Sequence, residues 1–127
     1  MDKSEKPYGY ELIMDLHGCD ASKFTRKNIE EYMVTICDAI GMEREDLHFW
    51  DYEGVPEEEI PEDSHLLGVT AVQFITTSNI VIHTLDLLKA VYVNIFSCRK
   101  YDTELAAKIT KEWFGAKDCR TNFIERI

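Results

Sequence analysis

Apolar and polar positions follow two different periods in the first part of the chain. Residues 10–16 alternate loosely between apolar and polar side chains and run into the sequence His-Gly-Cys-Asp, which indicates a strand followed by a turn. From Ile29 onward, apolar residues recur every three or four positions, the spacing of an amphipathic helix. Asn28 is suited to cap this helix and Gly41 to end it. Residues 47–52 are rich in aromatic side chains and predict a second strand.

The middle of the chain has the period of strands. Residues 67–75 and 80–84 are rich in β-branched side chains, and the small polar sequence Thr-Thr-Ser-Asn between them predicts a hairpin turn at 76–79. Residues 90–98 alternate with a period of two, which predicts a further strand with a different set of side chains on each face.

A second helix and a last strand complete the predicted order. Asp102 is suited to cap a helix that Gly115 ends, and residues 119–127 predict a short final strand. Strands joined by hairpins, together with two helices, predict an α+β fold: a two-layer sandwich made of a mainly antiparallel sheet with two helices on one face. The other face also needs cover if it is apolar, and a homodimer would supply that cover.

The composition favours one folded domain and disfavours several kinds of partner. The chain has 127 residues, 45% of them apolar, which is enough for a single domain with a sizeable core. Fourteen basic against twenty-four acidic side chains give a formal charge of −10, which repels nucleic-acid backbones. No segment approaches the roughly 18 apolar residues of a membrane span. The charged first residues lack the apolar stretch of a signal peptide, so we expect a cytoplasmic protein.

The sequence predicts no metal site. Residues 53–65 carry six acidic side chains, two prolines and no Lys or Arg, a composition typical of a solvated loop. The spacing of a calcium-binding loop is absent there. The four cysteines form no CxxC pair and match no zinc-site spacing, so we expect reduced thiols, with Cys37 buried on the apolar face of the first helix.

Three residues with reactive side chains lie around the predicted turn. Ser78 lies in the turn, His83 follows on the next strand, and Cys98 ends the strand after that. In an antiparallel meander these three side chains can converge at one end or one face of the sheet. By spacing alone the structural interpretation is the more common one, because serine is a frequent turn residue and a single histidine on a strand usually belongs to the core.

Three segments resemble the small prokaryotic type of S-adenosylmethionine decarboxylase, a self-processing enzyme with a pyruvoyl cofactor. Residues 11–20 resemble the first strand of that family and its Gly-Cys-Asp turn. Residues 78–84, Ser-Asn-Ile-Val-Ile-His-Thr, resemble its processing segment Ser-His-x-x-Ile-His-Thr. Residues 91–98 resemble its strand that ends in the catalytic cysteine. The resemblance covers most of the chain apart from the acidic segment 53–65.

The resemblance implies that the chain cuts itself between Thr77 and Ser78. In the family, the serine hydroxyl attacks the carbonyl of the preceding residue, and β-elimination then splits the resulting ester and leaves a pyruvoyl group at the new N-terminus. Here the products would be a β chain of residues 1–77 and an α chain of residues 78–127. The pyruvoyl carbonyl would form a Schiff base with the amine of a small amino-acid-type substrate and accept the electrons released when CO₂ leaves.

The same resemblance implies roles for other side chains. His83 matches the histidine that acts during self-cleavage, and Cys98 matches the cysteine that protonates the product carbon. Thr70 falls where the family often has a serine that assists processing. Tyr8 and the aromatic residues of 47–52 are candidates for lining the substrate site.

The sequence also departs from the family pattern. Thr77 and Asn79 replace the usual Glu and His on either side of the processing serine, although the attack needs only the carbonyl of residue 77. The family's His-Thr-Trp-Pro-Glu becomes His-Thr-Leu-Asp-Leu at 83–87. This change removes an aromatic ring and a carboxylate associated with the nucleoside part of the substrate, and Asp86 would have to substitute by a shift in register.

Three functions therefore remain open. The first is decarboxylation of S-adenosylmethionine for the synthesis of polyamines such as spermidine, by cleaved protomers associated as a homodimer. The second is a pyruvoyl-dependent decarboxylase of the same fold that acts on ornithine or arginine, because the Trp and Glu after His83-Thr84 are missing. The third is an uncleaved homologue that serves as a binding protein.

Overall fold

A single six-stranded antiparallel sheet forms the frame of the protein in a computed structural model that describes residues 6–127. Residues 1–5, part of the charged segment considered above for export, lie outside the described residues. The strands are β1 (Gly9–His17), β2 (Arg44–Trp50), β3 (Gly68–Ile75), β4 (Ser78–Leu85), β5 (Ala90–Ser97) and β6 (Asp118–Arg126). Their order across the sheet is β2-β3-β4-β5-β1-β6, and neighbouring strands are antiparallel throughout.

The first helix, α1 (Arg26–Ile40), begins earlier than the apolar pattern indicates, because its first turn is polar and carries no hydrophobic signal. Its N-cap is Thr25, whose hydroxyl oxygen accepts a hydrogen bond from the backbone N–H of Asn28 at 3.2 Å. The prediction of Asn28 as the cap was wrong: the Asn28 side chain instead donates to the carbonyl of Lys23. Gly41 ends the helix with a φ of 72°, as predicted.

The second helix, α2 (Thr103–Trp113), has the predicted boundaries. The carboxylate of Asp102 accepts a hydrogen bond from the backbone N–H of Leu105 at 3.0 Å and so caps the first turn. Gly115 follows the helix with a φ of 61°, the left-handed conformation expected at a helix end. Within residues 6–127, no helix is long and apolar enough to cross a lipid bilayer.

Both helices pack on one face of the sheet, which confirms the predicted α+β two-layer sandwich. The space between the layers is filled by fully buried side chains from helices and strands, among them Tyr32, Phe114, Leu12, Met14, Leu16, Ile29, Met33, Ile36, Ile80, Ile82 and Ile95. The two helices are joined by one buried hydrogen bond, 2.7 Å long, between the hydroxyls of Tyr32 and Thr110. Tyr32 is the donor, because Thr110 donates its own hydrogen to the carbonyl of Ala106.

Neither α1 nor α2 covers the opposite side of the sheet, which we call the open face. Alternation along β4 directs Ser78, Ile80 and Ile82 toward the helices, and directs the intervening side chains to the open face. The strand pairing then places the following side chains on the open face across the three central strands: Thr70, Val72, Phe74, Asn79, Val81, His83, Tyr92, Asn94 and Phe96.

Replacing Tyr32 with Phe should lower the free energy of unfolding by about 1–2 kcal/mol, because the buried hydroxyl of Thr110 loses its donor. Tyr52→Phe is the matched control: its hydroxyl contacts the carbonyl of Leu66 at an exposed position, so the change should be less than about 0.5 kcal/mol. Urea unfolding followed by circular dichroism measures both. Equal losses in the two variants would contradict the assigned role of the Tyr32–Thr110 bond.

Candidate active site

A two-residue turn joins β3 to β4. Ile75 pairs directly with Ser78, so the turn consists of Thr76 and Thr77 alone. The predicted hairpin turn is confirmed, but it spans 76–77 and not 76–79. Serine and asparagine are frequent turn residues, but here the two-residue alternation of β4 continues back through both of them and makes Ser78 the first residue of the strand.

Ser78 has a strand neighbour on each side. It pairs with Ile75 on β3 and with Ser97, the last residue of β5, which is 1% exposed. Its side chain belongs to the helix-covered side of β4, the same side as Ile80. The position of Ser78 is therefore fixed by two ladders of backbone hydrogen bonds rather than by a loop.

Thr77 holds a backbone conformation that threonine rarely adopts. Its φ is 60°, in the left-handed region that glycine or asparagine normally occupies in turns. For a β-branched residue this conformation costs on the order of 1–2 kcal/mol. The Thr77 hydroxyl donates to the carbonyl of Thr76 at 2.6 Å. The peptide bond that joins Thr77 to Ser78 thus follows directly on a strained residue.

Cys98 lies beside Thr77 at the same end of the sheet. It is the residue after β5, and its Sγ is 3.0 Å from Oγ1 of Thr77. The hydrogen of the Thr77 hydroxyl is engaged with the carbonyl of Thr76, so the thiol is the donor in this contact. The structure therefore brings Cys98, Thr77 and Ser78 together, as the sequence predicts for Cys98 and Ser78.

His83 does not join this group, so the predicted convergence of all three reactive residues within one protomer was wrong. His83 is five residues from Ser78, which corresponds to about 16 Å of extended strand. Because the separation is an odd number, the two side chains also point to opposite faces of the sheet. His83 Nδ1 instead lies 2.7 Å from the hydroxyl of Thr70, its partner on β3, and this hydrogen bond fixes the orientation of the ring on the open face.

The aromatic candidates separate into two groups. Trp50 pairs with Thr70, lies on the open face beside the Thr70–His83 pair and is 81% exposed. Phe49 points to the other side, where the guanidinium of Arg26 lies 5.3 Å from the centre of its ring. Tyr8 stacks on Phe96 with ring centres 6.3 Å apart, nearer the Cys98 end of the sheet.

A cavity of about 230 Å³ opens beside the turn, on the side that Ser78 faces. It is lined by Thr76, Thr77 and Ser78 from the hairpin, by Ser97 and Arg99 from the end of β5 and just beyond it, and by Gly41, Met42 and Glu43 with Ile75. Ser97 and Arg99 were not predicted from the sequence as site residues. Their position next to Cys98 was the available signal, because strand pairing places the residues flanking Cys98 opposite the turn.

Burial raises the pKa of three further titratable side chains, Cys19, Cys37 and Asp86. It raises the pKa of the Cys19 and Cys37 thiols to about 11, so both are protonated at neutral pH, and Cys37 is buried as predicted. Asp86 follows β4, and its Oδ1 is buried with no hydrogen-bond partner in the described part of the chain. Desolvation raises the pKa of this carboxyl group. The acidic segment 53–65 contains one short 3₁₀ helix, Glu57–Glu59.

Relieving the strain at Thr77 should stabilise the uncut chain. In a Ser78→Ala background, Thr77→Asn should raise the free energy of unfolding by about 1 kcal/mol, because asparagine tolerates the left-handed conformation. Thr76→Asn is the matched control, since Thr76 has no positive φ, and it should bring no such gain. Denaturant unfolding measures both. A loss of stability in Thr77→Asn would contradict the strain assigned to this position.

Comparison with known proteins identifies the fold and the family. No curated protein matches the chain significantly. Among solved structures, the crystal structure of the adenosylmethionine decarboxylase from Aquifex aeolicus VF5 is similar, with a TM-score of 0.74 and 21% sequence identity over 95% of this chain and 92% of that one. This similarity supports the fold. The sequence profile of the S-adenosylmethionine decarboxylase family matches residues 10–127. The chain therefore belongs to the S-adenosylmethionine decarboxylase family.

Proposed function

We propose that this protein is a self-cleaving, pyruvoyl-dependent decarboxylase that generates its cofactor from Ser78. The observation that carries the proposal is the geometry of the β3–β4 turn. The Ser78 hydroxyl comes one residue after the carbonyl of Thr77, which is held at a strained φ of 60°. The thiol of Cys98 lies 3.0 Å from the Thr77 side chain. Strain in the uncut chain favours a reaction that releases it.

The residues of the turn fit the formation of a pyruvoyl group. Oγ of Ser78 is one residue from the carbonyl carbon of Thr77, so attack forms a five-membered ring and converts the peptide bond into an ester. The pairing of Ser78 with Ile75 and Ser97 limits the movement of the nucleophile before the reaction. Once formed, the pyruvoyl group would act as the electron acceptor for loss of CO₂ from an amino-acid substrate.

Cys98 is the proposed proton donor in turnover. Its thiol donates a hydrogen bond to Thr77 in the uncut chain, so its proton is already directed to the atoms next to the position of the future pyruvoyl group. Cleavage frees the end of residue 77 and leaves the thiol available to the substrate. This position suits a group that protonates the carbon from which CO₂ has left.

We also propose that the active form is a homodimer in which two open faces pack together. The open face exposes apolar side chains that a second sheet would cover at the usual separation of about 10 Å. Trp50 and Phe74 are exposed, and Val72, Val81 and Phe96 are half-buried. Polar groups on this face already form hydrogen bonds with one another, as Glu11 does with Asn94 and Arg126. Burying them in a dimer would therefore leave few polar groups without a hydrogen-bond partner.

The dimer would also supply the missing histidine. Within one protomer His83 is too far from Ser78 to act on it, and a general acid or base must come within about 3 Å of the atom it serves. Two sheets related by a two-fold axis would bring the Thr70–His83 pair of one copy toward the open-face side of the other copy's turn, where it would approach the backbone of residues 77 and 78 and not the Ser78 hydroxyl on the helix side. We therefore assign His83 and Thr70 to the processing of the opposite chain.

Two substrate classes remain, and a different residue favours each one. Trp50 lies beside the Thr70–His83 pair and exposes a flat ring of the kind that stacks on adenine, which favours S-adenosylmethionine. Asp86 lies three residues after His83 and holds a carboxylate oxygen with no partner in residues 6–127, which favours the ammonium or guanidinium of ornithine or arginine. The family and Trp50 make S-adenosylmethionine, and hence polyamine synthesis, our first assignment.

Purified protein should separate into fragments of residues 1–77 and 78–127 when its intact mass is measured under denaturing conditions. Ser78→Ala should remain a single chain of 14.8 kDa, whereas Ser64→Ala, in an exposed segment, should cleave like the wild type. Cys98→Ala should cleave and lose most of its turnover. A wild-type chain that stays intact after long incubation would overturn the enzyme proposal and favour a binding protein.

Mixing two defective chains tests the trans arrangement. Alone, His83→Ala should cleave slowly and Ser78→Ala should not cleave at all. When they are co-expressed with different tags, the His83→Ala chain should cleave faster, because the Ser78→Ala chain supplies an intact histidine to its turn. The measurement is the mass of each tagged chain. No acceleration in co-purified pairs would place His83 in the same protomer as the serine it serves.

A parallel assay of S-adenosylmethionine, ornithine and arginine tests the substrate. We expect the highest kcat/KM with S-adenosylmethionine, and a loss of about tenfold in Trp50→Ala that Trp50→Phe largely restores, since a base–aromatic stack contributes about 1–3 kcal/mol. Asp86→Asn should have little effect on that substrate. A higher kcat/KM with ornithine or arginine, lost in Asp86→Asn, would replace the first assignment with the second.

A further inference from the structure

Self-cleavage at Ser78, on which this inference rests, leaves a new negative charge at the turn. Attack by Oγ breaks the C–N bond of residue 77 and forms an ester, with the hydroxyl proton passing to the nitrogen. β-Elimination then breaks the Cβ–Oγ bond as the α-proton of Ser78 leaves, and the former serine oxygen stays on Thr77. The dehydroalanine at position 78 tautomerises, takes up one water and releases one ammonia. The balanced products are a pyruvoyl group and a C-terminal carboxylate on Thr77.

The side on which this carboxylate forms follows from the direction of Ser78. The Ser78 side chain faces the helix-covered side of β4, where the 230 Å³ cavity lies, and not the open face. Since Oγ of Ser78 becomes one of the two carboxylate oxygens, the charge is produced at the cavity. Cys98 lies next to the side chain of Thr77 and does not line the cavity.

The cavity contains one cation that is held in place but has no acidic partner. The Arg99 guanidinium donates to the carbonyl of Gly41 at the C-terminal end of α1, and the Arg99 backbone N–H donates to Oγ of the buried Ser97 at 3.0 Å. Within residues 6–127 no carboxylate lies within ion-pair distance of Arg99. A guanidinium has five N–H donors, so most of them remain for an incoming anion.

We propose that Arg99 is a positioning residue that binds the C-terminal carboxylate of Thr77 after self-cleavage. Glu43 is the other charged side chain in the cavity, and it would repel the new carboxylate if no cation were present. A guanidinium binds a carboxylate through two parallel hydrogen bonds, which keeps the cut end of β3 docked beside the pyruvoyl group. In the uncut chain Arg99 thus bonds only to the Gly41 carbonyl through its guanidinium, and in the mature chain it gains a carboxylate partner.

The direct test is the titration of Thr77 by NMR in protein labelled with ¹³C at the threonine carbonyl carbon. Cleavage makes Thr77 the one threonine with a free carboxyl group, because every other threonine carbonyl remains in a peptide bond. In the cleaved wild type its pKa should lie below the ordinary α-carboxyl range of about 3.3–3.7. Arg99→Gln should raise that pKa by about one unit, and Arg99→Lys should retain part of the depression.

Thermal unfolding at neutral pH gives a second, independent readout. Arg99→Gln should lower the Tm of the cleaved protein by roughly 3–6 °C and that of the uncut Ser78→Ala protein by clearly less, because the uncut protein loses only the hydrogen bond to the Gly41 carbonyl. Lys100→Gln is the matched control: Lys100 is the neighbouring cation, lies over the ring of Tyr10 and does not line the cavity, so it should affect neither form selectively.

Different results would overturn the proposed function and the role of Arg99. A wild-type sample with no titrating threonine carboxyl would show that cleavage does not occur, which would overturn the proposed function and this inference with it. A titrating carboxyl whose pKa is ordinary, or is the same in Arg99→Gln, would overturn this inference and leave the proposed function intact. Equal loss of Tm in cleaved and uncut Arg99→Gln proteins would also overturn it, because Arg99 would then be only structural.

Discussion

The two-residue turn between β3 and β4 sets the position of everything else in the candidate site. With Ile75 and Ser78 paired across it, only Thr76 and Thr77 remain to reverse the chain, and Thr77 takes a φ of 60° as a result. The register of β4 with β5 sets Ser78 against Ser97 and brings the next residue, Cys98, to the side chain of Thr77. A longer turn would relieve the strain and would also move the side chain of residue 77 away from the thiol.

The alternation of side chains along β4 places the candidate reactive side chains on two different faces of the sheet. Ser78 points to the helix side, with the cavity and Arg99, whereas His83 is bonded to Thr70 on the open face. A single protomer therefore holds the serine and the histidine on different faces of the sheet. A second copy that completes the site would explain both the exposed apolar residues of the open face and the distance between His83 and Ser78 in one protomer. In that case the dimer would have to form before self-cleavage.

The fold could be predicted from the sequence because hydrophobic period and helix ends are local signals. The order of strands and helices, Asp102 as a cap and Gly41 as a helix end follow from neighbouring residues alone. The site could be predicted only in part. Cys98 and Ser78 meet as expected, but the role of the turn residues and the direction of His83 depend on strand register, which composition does not reveal. Arg99 was not predicted because its proposed role depends on a charge that forms only on the proposed cleavage.

The central claim is that Ser78 becomes a carbonyl group, and borohydride reduction followed by mass measurement of the 78–127 fragment tests it most directly. A pyruvoyl group at residue 78 predicts a fragment with a blocked N-terminus that gains two hydrogen atoms on reduction. Simple hydrolysis of the same peptide bond would leave an N-terminal serine whose mass borohydride does not change. A fragment that begins with unmodified Ser78, or an uncut chain, would contradict the account.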